Sequence, residues 1–483
     1  MKIVIPRLTF RMHDNPLLDV DVDVDVDNAI DGVVVIIEKE RLPTDDYDIF
    51  RKYMNWNYHQ YNLLLQTIRG HQQDLASQNI DLYLCYLARD DYADFIKAID
   101  PDVVQAQIQV LIDYVNDPVF GFMTEQLRNG FGHSLKEINT FTMLDWRVSP
   151  HREVLEKYYK KAKPFSKLTP LKDHILSQDI TVSKSPSPSP SRSSPSSRQS
   201  RPSQSNLKKL LAPWLMDIDR ELAKVQQKMT AAGMRVHKFG FEGQGTWDQQ
   251  LLRHADASIA LIDTDAWSKP QTSRGIDWDK KTCQSLETLN TSQLSPFLSI
   301  GSLSVKYFWN KIRSNNADIG SAKDQLMWRE VFNATAVGAD LNLTDRLSEF
   351  WNDNIDSKFL DPKAVDYSWG LDHSIIQKWQ KGDIDGDAGQ SMKALWTDGW
   401  LHHLRRHLVA DTLTRGDLGQ LWTEGMMWFR YTLLDHDAAV NRANWMWLSA
   451  VAFSSKQKVY HYGKDYIRRS THPMVDRDDE CEK

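Results

Sequence analysis

Asp435, His436 and Asp437 interrupt an apolar run, with Tyr431 to Leu434 before them, Ala438 to Val440 after them, and Asn441 four residues beyond Asp437. On a helix Asp437 and Asn441 share a face. Carboxylates among apolar neighbours need a cation or a ligand, because an unpaired buried charge is costly. Arg329, Arg405 and Arg406 are the cations at hand. A buried structural salt bridge is the first reading of that spacing, and a ligand site the second. A further reactive stretch, Gly399 to His407, carries His402, His403, Arg405, Arg406 and His407. His403 and His407 stand one helical turn apart, which suits metal ligation, acid–base work or a basic face toward phosphate. A zinc-protease motif places Glu directly after its first His. Leu404 is there instead, so no metal is expected.

These groups need a scaffold, and the 483 residues allow two or three domains. Apolar residues make up 41% and charged residues 26%, the balance of a soluble globular protein. No run approaches the ~18 apolar residues of a membrane span. The start, Met1 to Pro6, lacks the apolar core of a signal peptide. Three widely spaced cysteines (Cys85, Cys283, Cys481) suit neither a disulfide framework nor a zinc site, so a reducing compartment is expected. A net charge of -6 gives the molecule no positive field, so any nucleic-acid binding needs a local patch. Tryptophan is the unusual count: 17, of which 15 follow residue 206. Such a collection implies a very aromatic core or a site that works with rings.

Along the chain, Lys2 to Ile5, Val33 to Ile37 and Ile80 to Leu87 read as buried parallel strands, with Val103 and Val104 assigned to a fourth. Tyr53 to Ser77 has helical spacing, and the alternation predicts a parallel α/β sheet over 1–145. Neither G-x-G-x-x-G nor a Walker-type loop occurs there. Asp19 to Asp27 alternates Asp and Val but lacks the Gly and Glu positions of a calcium loop, so it is read as a solvated insertion. Ser183 to Asn206, with 12 Ser and 5 Pro among its 24 residues and no acid, is expected to be a disordered linker within a 146–206 connector. From 207 to 483 the pattern is helical, notably over Asp324 to Thr335, Gln390 to Thr414, Gln420 to Leu434 and Ala438 to Phe453.

Six blocks resemble the photolyase/cryptochrome flavoproteins, nearest the branch of (6-4) photolyases and animal-type cryptochromes. Arg7 to Pro16 is similar to R-x-x-L-R-x-x-D-N-P, and Thr291 to Ser304 to T-S-x-L-S-P-x-L-x-x-G-x-L-S. Gln325 to Glu330 is similar to Q-L-x-W-R-E. His402 to His407 matches H-H-L-A-R-H with Arg405 in place of Ala, and Thr414 to Leu418 follows. Asp435 to Trp447 matches D-x-D-x-x-x-N-x-x-x-W-M-W. The likeness is strong across 286–453, weaker across 1–90 and thin between.

The resemblance implies an α/β, Rossmann-like N-terminal domain and an all-α C-terminal domain that binds FAD. Thr291, Ser292, Leu294 and Ser295 would meet the diphosphate, with Gln325 and Arg329 also on the cofactor. Arg406 would pair with Asp435 beside the ring, Asp437 would bond the flavin edge, and Asn441 would lie near N5. Trp379, Trp422 and Trp445 fall at the electron-relay positions, and the outer tryptophan typical of the branch falls at Gly419. Trp328 and Trp447 would border a lesion pocket, with His403 and His407 as catalytic proton donors. The implied activity is light-driven repair of (6-4) photoproducts in DNA; the alternative is a blue-light photoreceptor acting on signalling proteins. UV-damaged DNA or a signalling protein is thus the expected partner of a monomer in the nucleus or another DNA-containing compartment. No antenna chromophore is assigned. The pattern departs at Gly382 to Gly389, which is acidic, and at the short Ser454 to Lys464 and the fourteen residues after Arg469. Acid near a DNA path weakens phosphate binding.

Overall fold

The computed structural model describes residues 1–18, 30–100, 108–115, 117–161, 169–182, 202–239, 244–262, 292–314, 320–341 and 369–449. Contacts divide the chain into two compact units. One comprises Met1–Met143, Ile180–Asp256 and Leu294–Asn310, the other Leu144–Asp179, Ala257–Gln293 and Lys311–Lys483. The chain after residue 207 therefore contributes to both. Asp19 to Asp27, Val103 and Val104, Ser454 to Lys464 and the segment after Arg469 lie outside the described residues.

The first unit is built on five parallel strands: β1 (Lys2–Ile5), β2 (Gly32–Glu38), β3 (Leu82–Leu87), β4 (Gln109–Tyr114) and β5 (Leu135–Asn139), in the order β3-β2-β1-β4-β5. Every residue of β2 is buried, as expected for a strand covered on both faces. Strand β5 was not legible in the sequence, because Lys136 and Glu137 dilute its pattern at the sheet edge. Strand order reverses between β1 and β4, where open α/β sheets bind ligands. Here Asp113 at the end of β4 fills that position. Its carboxylate accepts from Arg7 N (2.7 Å), Leu8 N (2.7 Å) and Thr9 Oγ1 (2.9 Å). A protein anion thus takes the backbone donors that a phosphate would otherwise use.

The expected linker is shorter than its composition suggests. A helix, Pro202–Leu211, begins within it, with Leu207 and Leu211 fully buried in the sheet unit's core. Proline suits the first turn of a helix, and the two leucines one turn apart supply the burial that a Ser/Pro tract lacks. Residues 183–201 lie outside the described residues.

The second unit is helical among its described residues. Gly320–Asp340 and Trp422–Thr432 both pack on Ala438–Leu448, while Asp387–Asp398 packs on His403–Leu413 and on His373–Lys381. The apolar spacing from Gln390 to Thr414 suggests one helix, yet the chain makes two. Gly399 adopts φ 66° and ends the first by donating to Leu395 O. A left-handed residue at a helix C-terminus favours glycine. Gly399 O also accepts from Leu434 N at 2.7 Å, which ties this corner to the segment entering Asp435.

Candidate functional site

That corner sets the polar groups of the second unit. The residue following the turn, Trp400, lies beneath Arg406, whose guanidinium carbon is 6.0 Å from the ring centre. Arg406 donates Nε–H to Leu401 O at 2.8 Å and Nη2–H to both oxygens of Asp435, at 3.1 and 2.9 Å. Arg406 and Asp435 thus form a charge-assisted pair in which the carboxylate is buried.

Asp437 does two jobs. It caps the Ala438–Leu448 helix, with Oδ1 accepting from Val440 N at 3.1 Å. Its Oδ2 lies 3.3 Å from Arg329 Nη2 and, although buried, accepts no hydrogen bond among the described residues. Asn441, one turn along, donates Nδ2–H to Met426 O at 3.0 Å.

The three histidines stand together. Ring centres of His402 and His403 are 4.2 Å apart, those of His403 and His407 6.0 Å, and Trp447 meets His407 edge-on at 5.5 Å. Burial is the largest cause holding all three imidazoles neutral, with values lowered to about 3 (His402), about 4 (His403) and about 3 (His407). The Arg406 cation pushes each further down. His403 is nevertheless exposed to water. His402 and His407 are half-buried.

Trp328 keeps different company. It lies under the Lys172 ammonium, 4.2 Å from the ring centre, and beside Phe332. Gln325, on the same helix, is exposed. Leu294 and Ser295 belong to the first unit, Ser295 opening the short helix Ser295–Ser299; Ser292 is half-buried, and Thr291 lies outside the described residues.

The indoles of Trp379, Trp422 and Trp445 are all buried. Trp379 and Trp445 meet edge to face with centres 6.3 Å apart, and Trp379 Nε1–H donates to Val409 O at 2.9 Å. Trp422 opens the Trp422–Thr432 helix.

Three supporting residues escaped the sequence reading. Gly425 makes room for Trp445: a Cβ there would stand 2.1 Å from the indole Cη2. Glu330 accepts from Trp146 Nε1 (2.7 Å) and Leu144 N (3.1 Å), anchoring the helix that carries Arg329. It follows Arg329 directly in a quoted block, so its position was signalled though its partners were not. Lys172 carried no signal.

Tested against FAD, these residues fit. A buried carboxylate oxygen with unused acceptor capacity, an arginine already held by Asp435 and a wall of neutral imidazoles suit a polar, heteroaromatic ring.

Comparison with known proteins agrees. Residues 322–474 match the family described as the FAD binding domain of DNA photolyase. The (6-4) DNA photolyase of Arabidopsis thaliana is 34% identical over 192 residues, covering 36% of this chain and 32% of that protein. Cryptochrome-1 of Erithacus rubecula is 35% identical over 200 residues, covering 36% and 29%. The matched region thus spans about a third of the length of these relatives. In fold, the chain is similar to a class III photolyase from Agrobacterium tumefaciens (TM-score 0.60, 19% identity, 99% of this chain and 89% of that one). It is also similar to a Synechocystis cryptochrome (TM-score 0.59, 15% identity, 98% and 88%). Over this helical region the chain is thus similar to the FAD binding domain of DNA photolyase and to both a (6-4) photolyase and cryptochromes. Among the described residues no helix is long and apolar enough to cross a membrane.

Proposed function

We propose that the chain uses FAD and blue light to repair (6-4) photoproducts in DNA. The observation that carries this reading is the cluster of His403, His407 and Trp447 on the elements that carry the Arg406–Asp435 pair. When bound, FAD supplies light-driven electron transfer. Asp437 Oδ2 would accept a hydrogen bond from the flavin edge, and Asn441 would lie near N5. Arg406, held by Asp435, would keep a fixed positive charge beside the ring. On the diphosphate, Thr291, Ser292, Leu294 and Ser295 would supply hydroxyl and amide donors, with Gln325 and Arg329 completing the cofactor contacts. Trp328 and Trp447 offer faces to a base swung out of the duplex. His403 or His407 would hold the proton that activates the lesion. Burial holds both rings neutral, and an anionic substrate beside them would raise their affinity for that proton.

A second reading, a photoreceptor acting on signalling proteins, draws support from the turn before the Asp387–Asp398 helix. Asp383, Asp385 and Asp387 are all exposed there, and DNA phosphates would be repelled by them.

Blue light, reductant and FAD-loaded protein, offered oligonucleotides carrying a (6-4) photoproduct or a cyclobutane dimer, decide the matter. Restored bases in the first oligonucleotide are expected, with His403→Ala abolishing the repair. Photoreduction without restoration would sink the repair reading in favour of the receptor.

A further inference from the structure

His151 opens the helix His151–Lys161, and His174 lies in the last turn of the helix Thr169–Ser177. Both are half-exposed, and His151 Nδ1 stands 2.9 Å from His174 Nε2. Two ring nitrogens at that distance share one hydrogen, and the neighbours decide which ring carries it. Ser177 Oγ donates to His174 O at 2.7 Å, so its oxygen is left to accept from Gln178 Nε2 at 2.9 Å. The amide is thereby fixed with its nitrogen toward His174 Nδ1, 3.5 Å away, which is the acceptor. His174 therefore carries its hydrogen on Nε2 and donates to His151 Nδ1.

Every nitrogen of the contact is then committed. A proton added to His151 Nδ1 meets the Nε2–H of His174, and one added to His174 Nδ1 meets the Gln178 amide hydrogens. Burial is the largest cause lowering both imidazoles from their ordinary value. His151 lowers His174 further, while Asp145 pulls His151 the other way. On the surrounding elements Asp145 accepts twice from Arg147, at 2.9 and 2.8 Å, Arg152 donates to Glu156, and Ser149 donates to Glu153. Lys172 lies 3.8 Å from Asp324, and Asp173 and Asp179 are exposed to water.

Trp146 joins this contact to the helix that carries Arg329. Its ring centre is 6.1 Å from that of His151 and 5.7 Å from that of His174. Its Nε1–H and the Leu144 N–H share Glu330 Oε1, at 2.7 and 3.1 Å. Leu171 and Ile175 are fully buried, so the helix Thr169–Ser177 keeps its core contacts if the two imidazoles part.

We propose that His151 and His174 form an acid-sensitive latch. Neutral, they tie the end of one helix to the start of the other and brace Trp146. Protonation of either sets donor against donor, the rings part, and the hold of Leu144 and Trp146 on Glu330 loosens. The latch invokes neither flavin nor DNA and so stands or falls apart from the repair reading. Neutral in the fold and ordinary near 6.5 when unfolded, the pair stabilises fully above that value and loses stability as pH falls below it.

Amide hydrogen exchange of the full chain at pH 7.5 and 5, corrected for intrinsic rates and read by mass spectrometry, tests this. Protection of residues 174–178 and of the Leu144 amide should fall about tenfold at the lower pH. His174→Gln places a neutral donor where Nε2 stands, and His151→Asn a neutral acceptor where Nδ1 stands. Each should keep the protection at pH 7.5 and lose the fall. Equal protection at both pH values in unsubstituted protein, or a fall that persists in both variants, overturns the proposal. Deuterium uptake at the imidazole C2 positions gives a check without substitution. Both rings should titrate below the ordinary 6.5, and titration of both at or above it also overturns the latch.

Discussion

Arg406 and Asp435 embody the ambiguity that spacing left open, since such a pair serves stability, ligand placement or both. Their separate contributions are measurable. Arg406→Met removes the cation paired with the buried Asp435 carboxylate, which costs about 3 kcal/mol for a pair of this kind. The double change Arg406→Met with Asp435→Leu should recover that stability in denaturant melts without recovering flavin retention. Recovery of both would make the pair purely structural. The histidines set a pH dependence whose sign follows from their lowered values. Neutral in the fold but ordinary near 6.5 when unfolded, they bind more protons in the unfolded chain between those limits. Flavin-free protein should therefore be most stable above about pH 6.5 and lose stability as pH falls toward 4. Guanidinium midpoints at pH 7.5 and 5 check this, and His407→Leu should flatten the fall.

At the scale of elements, the helices are held by small steric allowances rather than by propensity. Gly425 lies in the middle of Trp422–Thr432 and admits the Trp445 indole from Ala438–Leu448. Gly425→Ala overfills that contact, with Leu413 Cδ2 2.7 Å from the added carbon as well. A loss of about 1–3 kcal/mol is expected in chemical denaturation, together with a changed Trp445 environment in near-ultraviolet dichroism. The Gly320–Asp340 helix depends on Glu330, which is fully buried and serves two donors. Glu330→Ala removes the acceptor that Trp146 Nε1–H and Leu144 N–H share, at about 1–3 kcal/mol, read in the same melts.

For the molecule as a whole, the cofactor is a folding ligand as much as a reagent. FAD that binds the folded chain and not the unfolded one should raise stability by about 2.7 kcal/mol when present at a hundred times its dissociation constant. A thermal melt with and without added FAD reads this as an upward shift. A purified chain that stays colourless and shows no shift would remove the basis for every light-driven reading. The sheet unit meets its own needs differently: at its switch point the Asp113 carboxylate accepts from Arg7 N, Leu8 N and Thr9 Oγ1.

The spacing of residues along the chain was enough to establish the parallel α/β region, the helical character after residue 207, and the faces carrying His403 with His407 and Asp437 with Asn441. Those features obey local rules, because strand and helix periods are written into a few adjacent positions. Others depended on contacts between distant segments, which no local period encodes. Such contacts turned a Ser/Pro tract into the helix start at Pro202, split the Gln390 to Thr414 stretch at Gly399, and recruited β5 as an edge strand. They also joined Arg329 to Asp437 and set His174 against His151. Local spacing chose which groups share an element, and packing chose which of those groups meet, because burial rewards whichever surfaces close together in three dimensions.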